Sequence, residues 1–187
     1  EDDRQRLVVI LAGYSDPMQC LLQSNPGLSS RFNTQLIFDD YAPVELGRIY
    51  HRMCDANHYV IPADVRAKLL LGFHWLYQQR DEHFGNGRLV RNTFENSVRR
   101  LANRVAAVAP ITRELLTVLT CDDIAMQNVP DRIWKSLETG DLRFTLPCDS
   151  CQKKVRVRIR HLGVRVRCPH CKTTLQADWA VPPTDVL

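Results

Sequence analysis

Four of the seven cysteines fall into two Cys-x2-Cys pairs, Cys148/Cys151 and Cys168/Cys171, with sixteen residues between the pairs. That spacing restricts the C-terminal fold more than any other feature of the chain. A two-residue gap lets both thiolates of a pair face one ion, and the separation lies in the range that reads as a zinc site. Four thiolates leave no coordination position for water, so the role expected of the ion is structural. A segment this small buries too little apolar surface to fold alone, and metal binding supplies the missing free energy. His170, inside the second pair, reads as a turn residue rather than a ligand. Cys20, Cys54 and Cys121 stand alone in apolar or mixed stretches and read as buried thiols. A reducing cytosol is expected, where paired cysteines bind metal more often than they oxidise.

Between the two pairs, Val155, Val157 and Ile159 alternate with Arg156, Arg158 and Arg160, and Val164 and Val166 alternate with Arg165 and Arg167. The pattern predicts a hairpin turning at His161–Leu162–Gly163, with one apolar and one cationic face. From Cys148 to Lys172 eight Lys and Arg stand against the single acid Asp149, a local charge of +7 in a chain of net +4, which leaves the rest at −3. Such asymmetry points to an anionic partner, although four thiolates on a zinc ion would carry −2 and offset part of it. Arginines can pair bidentately with phosphates, so nucleic acid is one reading of the face. An acidic protein surface and plain solvation are the others. No aromatic residue lies between Lys153 and Lys172, so the stacking contacts of single-strand binders are missing.

The remainder reads as a soluble globular protein: 44% apolar and 25% charged, with no apolar run near the roughly 18 residues of a membrane span. The chain opens at Glu1 without a basic-then-apolar leader. Having no initiator methionine, it is expected to be a piece of a longer protein. Leu7–Ala12 is a continuous apolar, β-branched run closed by Gly13, which predicts a strand buried on both faces of a parallel sheet. Asp16-Pro17 predicts a short helix to about Gln23, stopped at Asn25-Pro26-Gly27. Gln35–Phe38 is a second strand candidate. Beyond it the periodicity is helical. One helix opens at Pro43 and ends near Asn57, a second runs from Pro62 to about His83, and a third follows Gly85-Asn86-Gly87 and ends before Pro110. Two short helices are expected at about 113–119 and 130–137. There is no internal repeat in the sequence, and the tail from Ala180 to Leu187 is expected to be loose.

The segments VVILAGYSD, SNPGLSSRF and FGNGRLVRN, in this order and separation, resemble the AAA+ ATPases of the group that contains the stage V sporulation protein K and the red-type Rubisco activase. The resemblance covers about residues 1–125. It implies an α+β organisation: the end of an AAA+ α/β core over 1–40, a helical lid over 41–125, a linker over 126–145 and the zinc ribbon over 146–180. It further implies a cytoplasmic, nucleotide-driven ring, usually a hexamer, with ATP and magnesium between neighbouring subunits and a protein substrate of unspecified identity. Arg31 matches the arginine finger that reaches into the neighbour's site, where an always-charged planar donor stabilises charge on the transferred phosphoryl group. Arg88 matches the lid arginine that senses nucleotide in the subunit's own site, with Arg91 one turn later as the competitor. Tyr14 occupies the place where many relatives carry a small polar residue that orients the attacking water. No Gly-x4-Gly-Lys-Ser/Thr loop occurs in the chain, and no magnesium-holding acidic strand is assigned in it, so alone it is expected neither to bind ATP well nor to hydrolyse it. The alternative is a freestanding binding module in which the ribbon contacts nucleic acid or an acidic protein and the helices are a scaffold.

Overall fold

The computed structural model describes residues 6–82, 84–106, 108–138 and 141–184. It divides into two compact units, one ending at Asp40 and the other beginning at Tyr41.

In the first unit the only regular elements among the described residues are two helices, α1 (Ser15–Ser24) and the single turn α2 (Pro26–Ser29). The Asn25-Pro26-Gly27 breaker both stops α1 and starts α2, because the Asn25 Oδ1 accepts from the backbone N–H of Gly27 at 3.0 Å and of Leu28 at 3.3 Å. The strands expected over Leu7–Ala12 and Gln35–Phe38 are not formed. Residues Leu7 to Leu11 are 43–84% exposed, and Leu36, Ile37 and Phe38 are 74–88% exposed. An apolar run becomes a strand only when neighbours complete its backbone ladder, and no partner strand for these runs is present among the described residues.

The second unit starts with three helices, α3 (Pro43–Ala56), α4 (Ala63–Gln78) and α5 (Asn86–Val105). Pro43 at the first helical position and the Glu45 carboxylate, accepting from the Ala42 N–H at 2.8 Å, fix the start of α3. The faces read from the periodicity meet in one core: Leu46 and Tyr50 of α3, Leu69, Leu70 and Phe73 of α4, and Val90, Phe94 and Leu101 of α5. The edge of the Tyr50 ring faces Phe94, centroids 5.9 Å apart. Helix α6 (Arg113–Thr117) returns the chain, and Val118 pairs with Val60 in a parallel bridge. The following turn is tied to α5 by the buried Asp123. Its carboxylate accepts from Arg104 Nε at 3.0 Å and Nη2 at 2.8 Å, and from the Thr120 N–H and hydroxyl at 2.8 and 2.9 Å. Burial alone would raise the Asp123 pKa, but the bonds from Arg104 and Thr120 outweigh it and hold the carboxyl below its usual range.

The stretch 126–145, expected as a linker, contains helix α7 (Asp131–Glu138) and the start of strand β1 (Arg143–Pro147). Ile133 and Phe144 within it are fully buried, and Trp134 packs on α4 beside Gly72. The ribbon then departs from the expected single hairpin. Strand β2 (Lys154–Arg158) pairs antiparallel with β1 upstream, Phe144 opposite Val157, and β3 (Arg165–Arg167) pairs with β4 (Thr174–Gln176) downstream, Val166 opposite Leu175. His161, Leu162 and Gly163 therefore join two hairpins rather than turn one. The tail is also less loose than its composition suggests: Val181 bridges to Thr145 and Pro182 is buried, while 185–187 lie outside the described residues.

Candidate functional site

Each ribbon hairpin carries one cysteine pair at its turn, and the two turns are built alike. In the first, the Cys148 N–H donates to the Lys153 carbonyl at 3.0 Å and the Gln152 N–H to the Cys148 carbonyl at 2.8 Å. In the second, Cys168 to Thr173 at 2.9 Å and Lys172 to Cys168 at 3.0 Å repeat the arrangement. The residue after each pair, Gln152 with φ 58° and Lys172 with φ 64°, is left-handed, which swings the chain back after the second thiol. The duplication is one of backbone geometry, with little sequence identity to announce it.

The two turns bring Cys148, Cys151, Cys168 and Cys171 together, with all four Sγ atoms within 4.8 Å of one another. Cys148 and Cys171 are 3.6 Å apart at sulfur, and Cys151 and Cys168 are 3.8 Å apart. These distances are too long for disulfides. Four sulfurs at about 2.3 Å from a central zinc lie about 3.8 Å from one another, so the donor set fits a tetrahedral ion in spacing and in chemistry. Cys148 and Cys168 are fully buried, and Cys151 and Cys171 are half-buried. His170 points into none of this and is exposed. Of the lone cysteines, Cys54 is buried and its pKa is pushed up to about 12, chiefly by burial. Cys121 is half-buried, and Cys20 is exposed against the expectation, because α1 buries only Leu22.

The ribbon is seated on the lid by residues that the periodicity did not single out. Arg66, on α4, is 7% exposed. Its guanidinium donates to the Ile61 carbonyl at 3.3 Å, the His51 Nε2 at 3.2 Å and the Asp178 carbonyl at 3.4 Å, with the Asp178 carboxylate at 4.0 Å. It also lies over the Trp179 ring, 5.1 Å from the centroid. Burial lowers the Arg66 pKa, and Asp178 and Asp55 partly restore it. Trp179 is 6% exposed and fills a notch at Gly47 of α3, where an added Cβ would come within 2.5–2.9 Å of three ring carbons. Gly163, at φ +89°, brings the turn between the hairpins onto the Arg66 side chain. The one signal in the sequence was that α4 is apolar around most of its circumference from Val65 to Phe73, which requires partners on two sides. A cavity of about 390 Å³ opens beside this seam, walled by Arg48, Arg52 and His51 and by Asp149, Asp178 and Trp179. Its mixed charge selects no single ligand class.

The residues matched to nucleotide chemistry are divided between the two units. Tyr14 precedes α1 and is 79% exposed, and Arg31 follows α2, exposed, with Nη1 donating to the Gly27 carbonyl at 3.0 Å. Arg88 and Arg91 project from the first turns of α5, both exposed. Tyr14 and Arg31 belong to the first unit, and Arg88 and Arg91 to the second. No described helix is long and apolar enough to cross a membrane.

Residues 42–132 match the AAA lid domain. The chain is 35% identical over 133 residues to the protein CbbX of Cereibacter sphaeroides, covering 69% of this chain and 42% of that protein. It is 33% identical over 128 residues to the stage V sporulation protein K of Bacillus subtilis, covering 68% and 40%. To the chloroplastic ribulose bisphosphate carboxylase/oxygenase activase of Cyanidioschyzon merolae it is 37% identical over 128 residues, covering 66% and 42%. The chain thus spans about two fifths of the length of these curated relatives.

Proposed function

From the AAA lid domain that this chain carries over residues 42–132, we propose that it is the C-terminal portion of an AAA+ ATPase acting as a remodelling ring, with a zinc ribbon that recruits a partner or substrate. The observation that carries this is the match of residues 42–132 to the AAA lid domain, together with the homology to the CbbX, sporulation and activase proteins over about two thirds of the chain. In this reading neighbouring subunits pack so that Arg31 of one reaches the ATP of the next, while Arg88, or Arg91 one turn on, contacts nucleotide bound in its own subunit. The phosphate loop and the magnesium-holding acids would come from the portion that the relatives have and this chain does not span. ATP supplies the phosphoryl group whose developing charge a guanidinium stabilises. Arg31 suits that role, since a guanidinium presents its donors in a planar fork. Tyr14, just after the apolar run, would stand where many relatives carry the small polar residue that orients the attacking water. The four cysteines are proposed to hold one structural zinc per chain.

Arg31→Ala in the complete protein is expected to lower ATP turnover by about 10³-fold or more, with nucleotide affinity within a few-fold of the parent. Steady-state hydrolysis and binding of a fluorescent nucleotide measure the two effects. Unchanged turnover would remove Arg31 from the site.

A further inference from the structure

Strand β2 places Lys154, Arg156 and Arg158 on one exposed face, while Val155 and Val157 point into the core. Its partner adds Arg143 to the same face, directly opposite Arg158. Like charges facing each other across a two-stranded sheet are destabilising, yet here they stand at one end of the row. Arg143 has Asp141 at 3.5 Å. Among the described residues, no carboxylate comes within ion-pair distance of Lys154, Arg156 or Arg158. Alternate residues on a strand stand about 6.6 Å apart, so the face presents a regular row of cations rather than a scatter.

The other residues on this face limit what can cover it. They are Thr145 and Pro147, with Val181 bridged beside Thr145. A protein–protein interface is held by buried aromatic or aliphatic anchors at its centre, and here the one aliphatic candidate, Val181, stands at the margin beside Thr145. Single-stranded nucleic acid is held by aromatic platforms on which bases stack, and none is present. What the face can engage is a regular array of anionic oxygens, through charge-assisted and bidentate hydrogen bonds that read no sequence.

We propose that the exposed face of the β1–β2 sheet docks on the phosphate backbone of a nucleic-acid duplex, without base specificity. The proposal names the partner for the recruiting role given to the ribbon above, and it does not depend on ATP hydrolysis.

The test uses the zinc-loaded full chain and a short fluorescent DNA duplex of arbitrary sequence. Four phosphate contacts give a slope of about −3.6 in log affinity against log salt, so raising salt from about 50 to about 200 mM should weaken binding on the order of 100-fold. In the Arg156→Gln/Arg158→Gln variant the slope should halve, leaving about a tenfold effect over the same range. The Arg99→Gln/Arg113→Gln variant, which removes the same charge from exposed positions on the lid, should keep the parent slope. Zinc content and circular dichroism of all three confirm that the ribbon is intact. A parent slope in the ribbon variant would overturn the proposal, as would equal weakening in the lid variant. Tighter binding of the single strand would overturn it too, and polyglutamate competing as well as duplex at matched charge would transfer the face to an acidic protein. ATP turnover by the complete protein is read separately: its absence with duplex binding retained counts against the ATPase reading alone, and the converse against the docking face alone.

Discussion

The lid and the ribbon share one compact unit but are held together by different physics. The lid folds around large apolar side chains from three helices, with Tyr50, Leu69, Leu70 and Phe73 wholly buried. The ribbon has two hairpins of three- and five-residue strands, and most of its small core is valine, leucine and alanine. Beside that core it has a cluster of four sulfurs. The lid is therefore expected to stand without the ribbon, whereas the ribbon, on the zinc reading proposed above, is expected to need its metal.

The largest break in that comparison comes from Cys148→Ser. Structural zinc contributes on the order of 10–16 kcal/mol in small modules, so this variant is expected to lose its stoichiometric zinc and the ordered ribbon, while the helical circular dichroism of the lid persists. A chelator should do the same to the parent. One zinc per chain in the variant would exclude Cys148 as a ligand.

A smaller break works on the lid alone. Asp123→Asn leaves Arg104 facing a neutral amide and should cost about 3 kcal/mol of lid stability, the low end for a broken buried pair because Arg104 is partly exposed. The sign of the pH effect follows from the depressed folded-state pKa. Asp123 contributes stability fully above the ordinary aspartate value of about 3.9 and loses it as pH falls through the folded value. Thermal melts followed by the helix signal should show the parent losing its advantage over Asp123→Asn below about pH 4. A constant gap between the two proteins at all pH values would rule out this role for Asp123.

The finest test acts on the seam. Gly47→Ala pushes a methyl against the Trp179 ring and should cost about 1–3 kcal/mol, the usual penalty of overpacking. That cost should fall on the attachment and not on either part, so zinc stays bound and the melt divides into separate ribbon and lid transitions. A single transition shifted as a whole would mean that the two parts do not melt independently.

What the sequence disclosed and what it hid follow the range of the interactions concerned. The cysteine spacing is local and identified the cluster, and the 3.6-residue rows of Leu46/Tyr50 and Val90/Phe94/Leu101 announced the faces that pack. Pairing partners are not local. The alternation Val155–Val157 and Val164–Val166 is equally consistent with one hairpin or with halves of two, and only the strand at Arg143–Pro147, which begins inside the supposed linker, decides for two. The seam was illegible because Arg66 looks like any helix arginine until Trp179, more than a hundred residues on, covers it. The runs Leu7–Ala12 and Gln35–Phe38 show the converse: strand composition without neighbours to bond gives no strand.

Trp179 in its notch at Gly47, with Arg66 clamped above it, means that the ribbon has no hinge of its own at the lid. Any swing of helices α3 and α4 becomes a swing of the cation-bearing sheet, with the helices as fulcrum and the ribbon as arm. In the remodelling ring proposed above, cargo held on that sheet would be pulled rather than merely tethered.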